Sequence, residues 1–384
     1  MLVFLWFSRF TPTRRRADTR LATWPELVTQ FTSQNNDAAR AAWLDAQFRD
    51  RLSGIGRLRG DCNVLLFGSA FLQKPHVPQP FVSLSPEDVD GLMATLHGMD
   101  WDKPLALILH TPGGVTNAAE TVVAYIRSKF QRLEVIVPTF AMSAGTMIAL
   151  AADTIVMGRQ SQLGPIDPQM SIGGRMISAR AVVEQFERAK RDIVGDPDEG
   201  TKGDLLMAHV WAPVLATIGP ALLQEAQNAL EYSERIVSEW LATYMFHDRA
   251  DAIEHAKKVA AYFNDASRHL SHGRRIDRNE CRLPELELVI EDLEDNQSLQ
   301  EEVLTLYHLM TIAFQNGPAT KLLRGTSNVQ WLKQWMSPEE QAALAQRATG
   351  DGGPGIGPTA PSPPRARPVL NPNSTVRPPK RRRH

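Results

Sequence analysis

Two patterns alternate along the chain: segments whose apolar positions recur at helical spacing, and short runs that are apolar throughout. From Leu21 to about Leu58, Trp24, Leu27, Val28 and Phe31, then Ala42, Leu44 and Phe48, repeat among charges, which predicts a helical lead-in over 1–58. A strand is expected at Val64 to Phe67. Ser85-Pro86-Glu87-Asp88 then offers a capping hydroxyl, a proline suited to a first helical turn and acids near the positive helix end, so a helix should run on to about Leu96. Next come apolar Leu105 to Leu109, a Gly-Gly turn, a helical stretch from Asn117 to Phe130, apolar Val135 to Pro138, a helix from Met142 to Ala151, and apolar Ile155 to Met157. Short buried runs separated by helices imply an α/β fold with repeated βαβ units and a mostly parallel sheet covered on both faces.

After Ser178 the pattern turns helical, interrupted by a loop over 195–203, with a long helical segment from Pro220 to Phe246. Leu286 to Ile290 reads as a strand, and Leu299, Val303, Leu306, Met310 and Phe314 mark an amphipathic helix. From Gly350 glycine, proline and serine dominate, and the chain ends Lys380-Arg381-Arg382-Arg383-His384. The organisation expected is therefore a lead-in over 1–58, one large domain over 59–335, and a disordered basic tail over 350–384.

With 43% hydrophobic and 22% charged residues, there is ample material for one large core. The net charge of −1 gives no whole-protein case for nucleic acid, and the terminal basic run is expected to be a solvated tail without a specific nucleic-acid partner. Cys62 and Cys281 are the only cysteines, and no Cys/His spacing suits zinc, so neither a disulfide framework nor a zinc site is expected, and a cytoplasmic setting is. The apolar start Met1 to Phe7 is interrupted by Ser8 and Arg9 and is far short of the ~20 apolar residues that span a bilayer. Its charges follow the apolar run, unlike a signal peptide, which leaves peripheral membrane contact as the membrane reading.

The chemistry concentrates in two turns that directly follow apolar runs, where parallel-sheet enzymes place their sites. In His110-Thr111-Pro112-Gly113-Gly114, paired glycines allow backbone conformations closed to other residues and the close approach of a carbonyl to an exposed N–H. In Phe140-Ala141-Met142-Ser143-Ala144-Gly145-Thr146, Ser143 opens a helix of small residues, and the N–H of Ala144 is free to stabilise an oxyanion. A plain strand-to-helix turn and an N-cap serine are the structural alternatives. The Gly-x-Ser-x-Gly elbow of α/β-hydrolases is absent, since Ala141 stands two before the serine.

These two segments, together with Leu163-Gly164-Pro165-Ile166-Asp167-Pro168-Gln169, resemble in order and spacing the serine dehydrogenase proteinase family, relatives of ClpP and signal peptide peptidase A. The resemblance covers roughly Asp61 to Lys321. It implies a Clp/crotonase-type fold, a Ser143 nucleophile attacking a peptide carbonyl, and an oxyanion hole from Gly113 or Gly114 together with Ala144, without a cofactor. It further implies a polypeptide substrate and a homo-oligomer. No histidine stands in the 163–169 stretch, where ClpP carries its base. A lysine further along, as in signal peptide peptidases, is then the first choice: Lys190, beside the apolar stripe of Val182 and Phe186, with Lys202 second. His110, His272 and Asp167 remain as a base, its orienting partner or groove residues, or as purely structural groups. The competing functions are a non-catalytic scaffold of the same fold and a crotonase-type acyl-CoA enzyme.

Overall fold

The computed structural model describes residues 22–196, 198, 200–216, 221–339, 341 and 342; Met1 to Phe7 and the tail over 350–384 lie outside these residues. The compact unit that carries the sheet ends at Trp335.

The chain opens with α1 (Trp24–Thr32) and α2 (Asp37–Leu58), followed by β1 (Asn63–Ser69), α3 (Gln79–Val82) and α4 (Asp88–Leu96). The βαβ portion comprises β2 (Leu105–His110), α5 (Thr116–Arg127), β3 (Leu133–Val137), β4 (Phe140–Ala141), α6 (Ala144–Leu150), β5 (Thr154–Met157) and β6 (Gln162–Leu163). A hairpin of β7 (Gln169–Ile172) and β8 (Arg175–Ser178) leads into α7 (Ala179–Val194), and a short pair, β9 (Gly195–Asp196) and β10 (Thr201–Lys202), precedes α8 (Met207–Ala216). Then come α9 (Leu222–Thr243), α10 (Ala252–Asn264), α11 (Ala266–His269), α12 (Arg278–Cys281), β11 (Ile290–Asp292), α13 (Gln297–Gln315), β12 (Ala319–Gly325) and β13 (Gln330–Gln334).

Seven strands form the main sheet in the order β11-β5-β3-β2-β1-β12-β13. The first five are mutually parallel, and β12 and β13 close one edge antiparallel. Because side chains alternate along a strand, β1 and β2 send Leu65, Phe67, Leu105, Leu107 and Leu109 into a core with α4, α5, α6, α9 and α10. Val64, Leu66, Ala106 and Ile108 point the other way, into a core with α1, α2 and α13. Helices on both faces are why these strands are apolar without alternation. Each such leucine, removed wholly from water, contributes about 2 kcal/mol.

Several elements differ in detail from the sequence pattern. The lead-in is two helices, because Asn36 caps α2 by accepting the Ala39 N–H at 2.8 Å, ending the first helical run. Ser85 does not cap α4; the helix starts at Asp88, whose carboxylate is fully buried and accepts the Ser85 N–H at 2.8 Å. The strand expected over 286–290 is displaced to Ile290–Asp292, since the chain turns at Leu283, whose carbonyl accepts from Leu286 and Glu287. Among helices in the described residues, none is long and apolar enough to cross a membrane.

Candidate active site

The carboxyl ends of β2, β3 and β5 feed turns that assemble a second layer of pairing beyond the main sheet. Thr111 pairs parallel with Ala141, Ala141 with Leu163 through β4 and β6, and Leu163 antiparallel with Ile276. Thr111 donates its N–H to Phe140 O at 3.0 Å and accepts from Met142 N at 3.1 Å, so the glycine turn and the serine turn are stitched together. Three glycines of the motifs are explained by these approaches. A Cβ on Gly145 would sit 2.5 Å from the Thr111 methyl, one on Gly164 2.5 Å from the Met142 methyl, and one on Gly113 2.6 Å from Ser143 Cβ and 2.4 Å from Met142 O. Thr146 bonds Ala141 O at 2.7 Å and accepts from Gly164 N at 2.9 Å, tying β4, α6 and the 163–167 segment together.

At the centre Ser143 adopts φ 51° and ψ −119°, outside the conformations open to ordinary L-residues, which costs about 1–3 kcal/mol. Its hydroxyl does not cap α6. The side chain is half-buried, without a hydrogen bond among the described residues, while every residue of α6 behind it is buried. The strained turn thus holds a partly exposed, unengaged hydroxyl on a rigid base.

Gly113 (φ 90°) lies against Ser143 and Gly114 (φ 156°) against the backbone of Leu84. The Gly113 carbonyl accepts the Leu84 N–H at 2.7 Å, and Leu84 O accepts Val115 N at 3.1 Å. The peptide is trans, so the Gly114 N–H points away from Leu84. Neither that N–H nor the Ala144 N–H has a partner among the described residues, leaving two donors from turns that touch at Ser143.

The five candidate bases and groove residues separate clearly. Lys190 is exposed on α7, and Lys202 is exposed in β10, paired with Gly195. His110 is fully enclosed, with Nδ1 2.9 Å from Thr139 Oγ1 and its ring packed against Phe71, Phe140 and Tyr307. Burial pushes its pKa down to about 3, and its Nε2 has no partner, which keeps the ring neutral. Asp167 and His272 come together. Four residues after Leu163 and four before Ile276, they keep the register of that bridge, and His272 Nδ1 lies 2.7 Å from Asp167 Oδ1. Asp167 is 2% exposed and also accepts from Gln169 Nε2 at 2.7 Å, whereas His272 is half-exposed with a free Nε2 edge. A cleft of about 420 Å³ opens beside the pair, reaching Ser178 and Glu184 near the start of α7. The Asp167–His272 contact spans 105 positions and has no local signature in the sequence. The clamp on Gly113 by Leu84 was equally invisible there, since it is made by backbone atoms.

No cluster of three or more His, Cys, Asp or Glu side chains fit to hold a metal occurs among the described residues.

Fold and site together describe an α/β protein with a mixed, mostly parallel sheet and a strained serine at a strand-to-helix turn facing a glycine turn. Residues 79–260 match the family of ClpP-like SDH-type serine proteinases. The chain is also similar to two uncharacterized proteins of Methanocaldococcus jannaschii. One is 38% identical over 110 residues, 29% of this chain and 37% of that protein; the other is 35% identical over 102 residues, 27% and 34%. The matched region thus spans about a third of the length of these curated relatives.

Proposed function

We propose that the protein is a serine peptidase in which Ser143 forms an acyl-enzyme with a polypeptide carbonyl. The observation that carries this reading is the backbone of Ser143, strained at φ 51° with its hydroxyl unengaged. Attack by Oγ generates a tetrahedral oxyanion, and the unpaired N–H groups of Gly114 and Ala144 are the donors it would meet. The charge develops where two fixed dipoles already converge, so little reorganisation is needed.

The base in this reading is His272. Its Nδ1–H donates to the buried Asp167 carboxylate, which fixes the tautomer that leaves Nε2 free to take a proton. Ser143, Asp167 and His272 all lie beyond the same end of the small β4–β6–Ile276 array, since β4 and β6 run parallel and Ile276 antiparallel. A Cβ on Gly164 would meet the Met142 side chain at 2.5 Å and the Arg274 carbonyl at 3.7 Å, which supports a position of both segments close to the serine turn.

A fluorophosphonate probe tests this. Wild type should label at pH 7–8 and Ser143→Ala not at all, with His272→Ala and Asp167→Asn about 100-fold slower or more. Unlabelled wild type overturns the peptidase reading. Loss of labelling in Lys190→Ala with normal labelling of His272→Ala overturns the histidine assignment in favour of a lysine base.

Association of copies is part of the same proposal. Val194, Leu205, Leu206 and Val210 are each 60–77% exposed within one short stretch around α8, apolar surface that association of copies would cover. Light scattering of the wild type should give a multiple of the chain mass, falling when Leu205 and Leu206 are both changed to glutamate; a monomeric wild type at micromolar concentration overturns it.

A further inference from the structure

An ion pair is sealed in the protein on the far side of the glycine turn from Ser143. Lys321 of β12 is 1% exposed and Asp88 at the start of α4 is 0% exposed, with Nζ 2.8 Å from both carboxylate oxygens. Burial acts against both charges, lowering the lysine pKa and raising that of the aspartate despite their mutual attraction. A pair of apolar side chains of similar volume would fill this space with less desolvation. Stability alone therefore does not account for it.

What the pair does touch is the segment that clamps the glycine turn. Asp88 Oδ2 accepts the Ser85 N–H at 2.8 Å, and Lys321 Nζ reaches Ser85 Oγ at 3.2 Å. The residue before Ser85 is Leu84, whose N–H holds the Gly113 carbonyl and whose carbonyl holds Val115. Lys321 is itself fixed in the main sheet, opposite Ser69, and Ser69 Oγ bonds Val82 O at 2.5 Å, a second tie to the same segment.

A peptide between two glycines can rotate as a unit at little steric cost, because neither flanking residue has a side chain to oppose it. Rotation here would swing the Gly114 N–H away from Ser143 and put the Gly113 carbonyl in its place. The hydrogen bond from Leu84 opposes it, and that bond is as firm as the Leu84–Ser85 backbone. The geometry points to Lys321 and Asp88 as positioning residues that hold Leu84 in place and so keep the Gly113–Gly114 peptide in its donor orientation. This rests on the peptidase reading only for its catalytic consequence; the structural lock stands apart from it.

The test uses the full chain with Lys321→Met and Asp88→Leu combined, which removes both charges together and leaves neither unpaired. Hydrogen–deuterium exchange should show the Leu84 amide exchanging at least about 10-fold faster, with amides of β2 unchanged. Fluorophosphonate labelling should slow about 10- to 100-fold, and turnover of a peptide ester should fall in kcat with KM nearly constant, as expected when a donor to the oxyanion is displaced. Lys321→Arg, which keeps the charge, should recover part of the labelling rate. Unchanged exchange at Leu84 in the double variant overturns the lock whether or not the protein is an enzyme. Faster exchange with unchanged labelling overturns its catalytic role. Absence of labelling in the wild type, by contrast, sinks the peptidase reading and leaves the exchange result to decide the lock. Should the double variant not fold, Asp88→Asn with Lys321 retained is read by the same exchange measurement, and protection of Leu84 equal to wild type again overturns the proposal.

Discussion

Replacing Gly113 with alanine is expected to slow labelling of Ser143 by about 100- to 1000-fold, the effect of losing an oxyanion donor. The added Cβ would lie 2.4 Å from Met142 O, 2.6 Å from Ser143 Cβ and 3.0 Å from Ala144 N. Two of these are backbone atoms, and the third is the Cβ of a residue whose own turn is already strained at φ 51°. None can rotate aside as the end of a flexible side chain could. Something must shift by more than half an ångström, and the yielding element is the Ser143 turn or the glycine turn, each of which carries a donor. Overpacking costs about 1–3 kcal/mol, and alanine at φ 90° adds about 1–2 kcal/mol of backbone strain. Gly173→Ala is the control: it has φ 57° but nothing within 4 Å of its Cβ, so it should lose only about 1 kcal/mol and label normally. Urea denaturation read beside labelling separates the two costs. A Gly113→Ala protein that labels like wild type would show that the turns do not converge on the serine.

The same contacts explain what the sequence could and could not reveal. The parallel strands were legible because burial on both faces demands continuous apolar runs, as in Leu105 to Leu109. The serine and glycine turns were legible because each glycine answers a local crowding, at Thr111, Met142 or Ser143. β12 was missed because Lys321 and Arg324 interrupt Leu322 and Leu323, and their burial depends on Asp88 and Asp45, both more than 200 positions away. The hairpin of β7 and β8 was missed because its side chains are mostly half-buried or exposed, so neither a buried run nor clean alternation marks it. The Asp167–His272 pair follows from a register set by Leu163 and Ile276, and registers between distant segments have no expression in local pattern. Lys190 looked suited to a base from its helical neighbours alone; the side chain is exposed, while Ala189 beside it is buried.

Acid should expose the weakness of the site through His110. The ring is enclosed by Phe71, Phe140 and Tyr307, and burial lowers its pKa from about 6.5 to about 3. Between these values the unfolded chain binds a proton that the folded protein refuses. Its contribution to stability is therefore full above about pH 6.5 and is lost as pH falls through the window toward 3, by up to roughly 1.4 kcal/mol per pH unit. From pH 7 to 4.5 the loss should be roughly 2.5 kcal/mol. Carboxylates titrate in the same range, but they are common to wild type and to His110→Gln, which has no ionisable group at this position. The difference in slope between the two proteins therefore isolates the histidine. The variant starts less stable, because a buried amide replaces an imidazole fitted to Thr139, yet its unfolding free energy should fall less steeply with acid. Parallel slopes in urea denaturation at pH 7, 5.5 and 4.5 would mean that the folded protein admits the proton.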